Sequence, residues 1–476
     1  MTISLLPRQV SARTLTTAGL FTVLMGAALA PIDLFIVNVA LPTIQADLRA
    51  SNATLEWVVA GYGIGFALLL VLGGRLGDAF GRRRLFSVGL AAFSLTSLVC
   101  GLAPNALTLV VARAAQGAAA ALLVPQVLSI IQAGTAGERR ARVLGYYGAT
   151  GGISMVIGQL LGGVLVSADL AGLGWRPIFL VNVPIGLLAM WLARRTLNES
   201  RATDPVGLDL LGTPLLGATL LALLVPLMEG HGLGWPWWCW ALLAAFPVLL
   251  VGFFQVERRV EARGGAPLLP PSVLRMAPMR HGLFIAVPFF AGFGGFMFVY
   301  ALLLQNGLRL SPLGSGLALT PTAVAFLVTT LLVARLVNRF GRRVMVAASL
   351  VLVLSLLVLI GTVLSTWPAL TVWHLVPGTL LFGIGQGLAA PTLFRSILSR
   401  VPADRAGVGS GVLTTTQQTS LALGVATFGT LFAVLSAPGG VAFAHALTVV
   451  STIQILTSIL IGALALRLPD PRESGI

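Results

Sequence analysis

No lysine occurs anywhere in the 476-residue chain: all 30 basic residues are arginine, set against 15 Asp plus Glu. A Walker-type phosphate loop needs a Lys on the β/γ-phosphates and a Schiff base needs a Lys amine, so neither chemistry can be built here. Charge of either sign is scarce. Only 9% of residues are charged and 57% are hydrophobic, against about 25% charged in soluble domains, which excludes an ordinary soluble enzyme. Cysteine is nearly missing as well. Cys100 and Cys239 fall near matching ends of their apolar runs, which permits a disulfide, although an isolated Cys in a membrane protein is ordinarily a small apolar filler. Neither a metal-ligand cluster nor a triad pattern is evident, so an enzyme, a metal and a bound cofactor are all unexpected.

What is present is apolar length. A net charge of +15 would suggest nucleic acid if it lay on a solvated basic face, but apolar sequence fills the chain, so a lipid bilayer is the expected partner and nucleic acid is not. A helix of about 20 apolar residues crosses the hydrocarbon core. Fourteen such runs lie near 16–41, 54–74, 84–103, 106–132, 143–167, 176–193, 209–229, 236–256, 282–305, 312–336, 344–365, 369–397, 407–436 and 442–466. The expected fold class is therefore an all-α polytopic membrane protein. With the N-terminus inside and the runs alternating, 26 Arg residues fall on inward segments and three, Arg49, Arg176 and Arg309, on outward ones. Because short cytoplasmic loops retain positive charge, both termini are expected in the cytoplasm of a cell with the chain in its inner membrane.

The chain repeats itself. Residues 75–84 read RLGDAFGRRR and 335–343 read RLVNRFGRR, an offset of 260; Pro125, Glu138-Arg139 and Gly145 return as Pro391, Asp404-Arg405 and Gly411, an offset of 266. Both echoes map a loop onto one eight spans later. The expected organisation is a six-helix bundle over 1–200, two extra helices and a linker over 201–280, and a second six-helix bundle over 281–476, with parallel repeats of the kind that large secondary transporters use.

Four motifs in order along the chain carry a family resemblance: Asp33 with Asn38-Val39-Ala40-Leu41-Pro42; Gly74-Arg75-Leu76-Gly77-Asp78 with Phe80-Gly81-Arg82-Arg83-Arg84; Arg113, Gln116 and Gly117; and Trp175-Arg176, Phe179, Asn182, Pro184 and Gly186. The chain resembles the major facilitator superfamily, and in particular its fourteen-helix drug:proton antiporter branch of the EmrB/QacA type. The resemblance implies a 6+2+6 helix arrangement, alternating access and a proton gradient as energy source. It also assigns a gating motif to Gly74, Gly77, Asp78, Gly81 and Arg82, in which Asp78 pairs with Arg82 or with Arg139 or Arg142 of a neighbouring loop. The branch's antiporter signature is represented by Gly158, Gly162 and Gly163, with Gln159 where the family has Pro. Asn338 stands in the second copy of the gating motif where Asp78 stands in the first.

Ionisable groups at membrane depth are costly, roughly 2.5–3.5 kcal/mol even on the lenient scale. Asp33 is the one acid and Arg113 the one base well inside a run. Both lie at similar depth, about 12 Å below the outer end by helical rise, and are expected to face one another across a cavity. Pairing would stabilise the Asp33 charge, whereas desolvation without pairing would favour the neutral acid. Proton coupling is accordingly assigned to Asp33 and Arg113. Glu56, Arg176, Glu229, His231, His374 and His445 sit at or near outer ends and are expected to be solvated there, and Asp209 is expected to favour a helix N-terminus. Aromatic and amide side chains accept many ligand shapes, so Asn38, Trp57, Tyr62, Gln116, Gln126, Asn182, Phe293, Tyr300 and Gln417 are candidates to line a substrate cavity.

The functional expectation is a proton-coupled antiporter that exports lipophilic, often cationic, drugs or antibiotics, acting as a monomer. A dedicated exporter of one endogenous metabolite or antibiotic is the alternative.

Overall fold

Residues 14–202, 207, 209–398, 401, 406–437, 439–468 and 470 are described by a computed structural model. Arg8, Arg13, Arg400, Asp404, Arg405 and Arg472, which contribute to the charge pattern, lie outside the described residues. Long helices follow one another along the chain: α1 (Thr17–Leu48), α2 (Asn52–Phe80), α3 (Arg82–Gly101), α4 (Ala106–Gly134), α5 (Gly137–Ala168), α6 (Pro177–Thr196), α7 (Gly212–Glu229), α8 (Trp237–Ala262), α9 (Ala277–Gly307), α10 (Pro312–Phe340), α11 (Arg343–Thr366), α12 (Val372–Leu398), α13 (Val408–Ser436) and α14 (Val441–Ala465). Local chemistry starts several of them. The side chains of Thr16, Ser51, Asn105 and Ser311 accept from the amides of Gly19, Thr54, Thr108 and Gly314, satisfying a donor the first turn would otherwise leave free.

Thirteen of these helices are long and apolar enough to cross a membrane. The sequence has fourteen apolar runs, and the difference is α12. It has 27 residues, ample length, but His374, Gln386, Arg395, Pro377 and Pro391 dilute its apolar character.

Helices α1–α6 pack on one another, as do α9–α14, and the two groups meet where α5 lies on α10 and α2 on α13. These two contacts are images of each other under a shift of eight helices, the offset the sequence repeat carries. Close approach inside the first group depends on glycine. A Cβ at Gly65 would stand 2.1 Å from the Ala114 carbonyl oxygen, and one at Gly117 would stand 2.0 Å from that of Tyr62, so the α2 and α4 backbones touch directly. Helix α7 packs on α2 and touches α13, while α8 packs chiefly on α7 and leaves most of its surface, including Trp237 and Trp240, exposed.

Among the described residues, three hydrogen bonds join the two groups toward the Arg-poor ends of the helices. Gln305 Nε2 donates to the Val39 carbonyl at 2.7 Å, the Leu313 amide donates to Ser167 Oγ at 3.0 Å, and Thr430 Oγ1 and Glu56 share a hydrogen bond at 3.0 Å. Toward the Arg-rich end of α5, Gly145, Gly148 and Gly151 have nothing within 4 Å of where a Cβ would stand. Nearer the Arg-rich end the groups still touch, a Cβ on Gly411 of α13 standing 3.4 Å from Val71 of α2.

Candidate functional site

Asp33 and Arg113 meet in the first group, and neither side chain has any exposed surface. Arg113 Nη1 donates to Asp33 Oδ2. The other carboxylate oxygen, Oδ1, accepts from Gln116 Nε2 at 2.8 Å and from Asn182 Nδ2 at 2.9 Å. Gln116 also donates to Ser97 Oγ at 2.7 Å and accepts from Arg113 Nη1 at 2.6 Å, while Arg113 Nε donates to the Val58 carbonyl at 3.0 Å. The Tyr62 ring lies 4.5 Å from the guanidinium carbon and the Phe179 ring 5.7 Å. Five helices, α1, α2, α3, α4 and α6, therefore close around one ion pair. A buried pair offsets its desolvation cost when its remaining polar atoms are bonded; Arg113 Nη2 and Asn182 Oδ1 are left without a partner.

This arrangement corrects the expectation of two groups facing across a cavity. The pair is in direct contact and enclosed within one bundle. Of the groups proposed to line a cavity, Gln116, Asn182 and Tyr62 belong to this cage. Gln126 lines nothing open: it is buried, donates to the Gly73 carbonyl at 2.8 Å and fills the space that a Cβ at Gly77 would need. Asn38 donates back to Leu34 in its own helix at 3.3 Å. Tyr300 is buried and stacked on Phe296 with its hydroxyl unpartnered, and Trp57 donates to Glu229 at 2.8 Å. Phe293 is placed between the groups, edge-on to Phe35 of α1 and stacked on Phe382 of α12. Gln417 is half-buried on α13.

Sequence reasoning did not single out Ser97, whose one signal was a hydroxyl a single turn before Cys100. It had the fourth motif but not its action. Trp175 Nε1 and Arg176 both donate to Asp47 at the end of α1, Phe179 lies under Arg113, Asn182 bonds Asp33, and Gly186 admits Ser94 Oγ to within 2.0 Å of where a Cβ would be. One stretch of α6 thus ties both members of the ion pair into the bundle.

The glycines of α5 bear on the same turn of α1. Gly158 faces the Ile32 carbonyl and Phe35, Gly162 faces Ile36, and Gly163 faces Leu313 of α10. Asp33 therefore sits on a helix turn whose other side carries α5. Gln159 is buried, and its side-chain amide has no partner.

At the Arg-rich end, Asp78 pairs with Arg82 of its own loop at 2.8 Å. Arg139 instead donates to the Leu15 carbonyl. A residue not singled out in the sequence, Glu199, accepts from the Arg83 amide at 3.0 Å and occupies the space beside Gly81, whose φ of 114° excludes ordinary side chains. Gly74 has room, with Pro125 at 3.7 Å. In the second copy of the motif, Arg395 donates to Asn338 Oδ1 at 2.8 Å. Arg75 grips the segment that follows α8, donating to the carbonyls of Ala266 at 2.7 Å and Pro267 at 2.6 Å, and to Gly207 at 3.0 Å. Asp209 holds the same segment through the Leu268 amide at 3.0 Å and starts α7 through the Gly212 amide at 2.7 Å. Burial would raise the Asp209 carboxyl, but the hydrogen bond shared with Glu257 and those from the backbone amides outweigh it and hold its pKa below the usual carboxylate value.

A sequence profile of the Major Facilitator Superfamily matches residues 23–425. The chain is 40% identical over 412 residues to a probable actinorhodin transporter of Streptomyces coelicolor, covering 86% of this chain and 71% of that protein. It is 37% identical over 418 residues to the puromycin resistance protein pur8 of Streptomyces alboniger, covering 87% and 81%. Among solved structures, a D-xylose–proton symporter superposes with a TM-score of 0.68 at 14% identity, covering 96% of this chain and 98% of that one, a likeness of fold.

Proposed function

This chain belongs to the Major Facilitator Superfamily, and from that premise we propose that it is a proton-coupled antiporter that exports antibiotics or lipophilic drugs. In this reading it has fourteen membrane helices in a 6+2+6 order, as in the EmrB/QacA branch, with bundles over 1–200 and 281–476 and the extra pair over 201–280. The Arg-rich end and both termini lie in the cytoplasm. The observation that carries the proposal is the Asp33–Arg113 pair, fully enclosed in an amide and hydroxyl cage.

A proton on Asp33 removes the charge that holds Arg113, so protonation weakens the pairing. Protonated, Asp33 keeps Gln116 and Asn182 as partners, while Arg113 retains the Val58 carbonyl, Gln116 Oε1 and two aromatic faces. Each state is held by its own bonds, as a two-state coupling element requires. The shift passes to the gate through the turn of α1 on which Gly158 and Gly162 bear. Because Asp33 is enclosed, its proton acts by changing helix pairing and not by direct exchange against a substrate cation at the same atom.

A second reading, a dedicated exporter of one compound, is favoured by the relatives, since the two described are each named for a single antibiotic. Purified protein in vesicles with an imposed proton gradient separates these possibilities. Gradient-driven movement of ethidium together with several antibiotics supports broad export, and movement of one compound alone supports the dedicated exporter. Undiminished gradient-driven transport by Asp33→Asn at matched protein level would overturn the coupling role.

A further inference from the structure

Glu56 was expected in the interfacial water at the start of α2, yet it is 1% exposed. It is enclosed where three parts of the molecule meet: α2 of the first group, α7 of the extra pair, and α13 of the second group. Helix α13 departs there from α-helical geometry, with a π-helical turn over Val425–Gly429 immediately before Thr430. Helix α9 closes the remaining side, with Phe298 and Glu56 Oε1 both within 3.2 Å of where a Cβ on Gly429 would stand. Among the described residues, no basic side chain forms an ion pair with Glu56. The charged group that reaches it is Glu229 on α7, of like sign; α9 presents Phe298, and α13 presents Thr430 and Gly429.

The hydrogen-bond inventory decides the protonation state that fits. Thr430 Oγ1 lies 3.0 Å from both carboxyl oxygens of Glu56 and 3.2 Å from the Leu227 carbonyl oxygen. A hydroxyl has one proton to give, and both neighbours are acceptors if Glu56 is ionised. If Glu56 carries a proton, it donates to Thr430 and Thr430 donates to Leu227, and both bonds are made. A lone carboxylate at this depth, beside another acid and without a cation, would be costly. The same contact ties the two groups together at the Arg-poor end.

We propose that Glu56 is a second proton-binding site, distinct from Asp33: a latch that holds its proton while the Arg-poor ends of the two groups are shut, and releases it as they part. The inference rests on the alternating-access reading, because it requires those ends to separate. The shut state then binds one more proton than the open state, so acid favours shut and alkali favours open. Between the acid strengths of the two states, the open-to-shut ratio rises by up to about tenfold per pH unit. The proton returns to the side it came from, so the latch senses external pH without altering the number of protons carried through.

The test is the distance between spin labels at Asn52 and Ala437, which lie at the exposed Arg-poor ends of α2 and α13, measured by pulsed electron resonance on the full chain in lipid nanodiscs from pH 5 to 9. The long-distance population is expected to grow with pH in the wild type. It is expected to stay small at every pH in Glu56→Gln, whose amide mimics the neutral acid and preserves both hydrogen bonds. Glu229→Gln, which removes the like charge, is expected to move the midpoint to lower pH. A Glu56→Gln response equal to that of the wild type, or a wild type insensitive to pH, would overturn the latch. The vesicle efflux experiment stands or falls separately, so failure of the latch leaves the transport reading intact.

Discussion

Arg113 of α4 donates to Asp33 of α1 across 80 positions of sequence, with both side chains completely buried. The pair is enclosed by residues of three further helices, so its removal has structural as well as functional consequences, and the two can be told apart.

Substituting one partner leaves a buried charge unpaired. Arg113→Met is expected to cost roughly 3–5 kcal/mol, read as a lower thermal midpoint in detergent. Asp33→Leu with Arg113→Met together should regain most of that stability and remain inactive in gradient-driven transport. A double variant no more stable than the single one would contradict the pair's enclosure.

Neighbouring glycines of the gating helix should behave differently. A Cβ on Gly73 would fall 2.2 Å from the Ala121 carbonyl oxygen, a backbone atom that cannot swing away, whereas one on Gly74 meets Pro125 at 3.7 Å. Gly73→Ala is expected to destabilise by roughly 1–3 kcal/mol, as overpacking does. Gly74→Ala should stay within about 0.5 kcal/mol. Denaturation midpoints of the two purified variants compare them directly.

The Asp209 carboxyl, held below its ordinary pKa, contributes stability above the unfolded-state value of about 3.9, and that contribution is lost as pH falls through the lower folded value. Protection of the Gly212 and Leu268 amides, taken relative to intrinsic exchange at each pH, should therefore be high at neutral pH and fall below about pH 4. Asp209→Asn, which has one acceptor oxygen in place of two, should exchange faster already at neutral pH. Unchanged exchange in that variant would show that other contacts hold the segment.

Restoring the acid in the second copy of the gating motif should create an ion pair. Arg395 already donates to Asn338 at 2.8 Å on the exposed surface. Asn338→Asp is expected to add no more than about 1 kcal/mol because solvent screens the pair, and raising the salt concentration should erase the gain.

Much of the candidate site was legible in the sequence because charge is so scarce. An acid and a base inside apolar runs have few ways to be accommodated, so Asp33 and Arg113 stood out, and the motifs carried Gln116 and Asn182 with them. Other assignments failed for a physical reason. Whether Gln126 lines a cavity or fills a helix contact depends on the helix facing it, and here Gly77 makes the room. Glu56 reads as solvated from its place near a helix end, because nothing in α2 reveals that α7 and α13 close over it.

The sequence by itself determined the membrane class, the gathering of Arg residues at one end of the helices and the eight-helix offset of the repeat, since these follow from apolar run length and the placement of a few charges along one dimension. Tertiary structure decided which buried groups touch. It closed the Asp33–Arg113 pair inside one bundle, set α5 against the same turn of α1, and shut the Arg-poor end over Glu56. Those outcomes depend on how residues far apart in the chain share a confined, low-dielectric volume, and only the packing of the helices sets that.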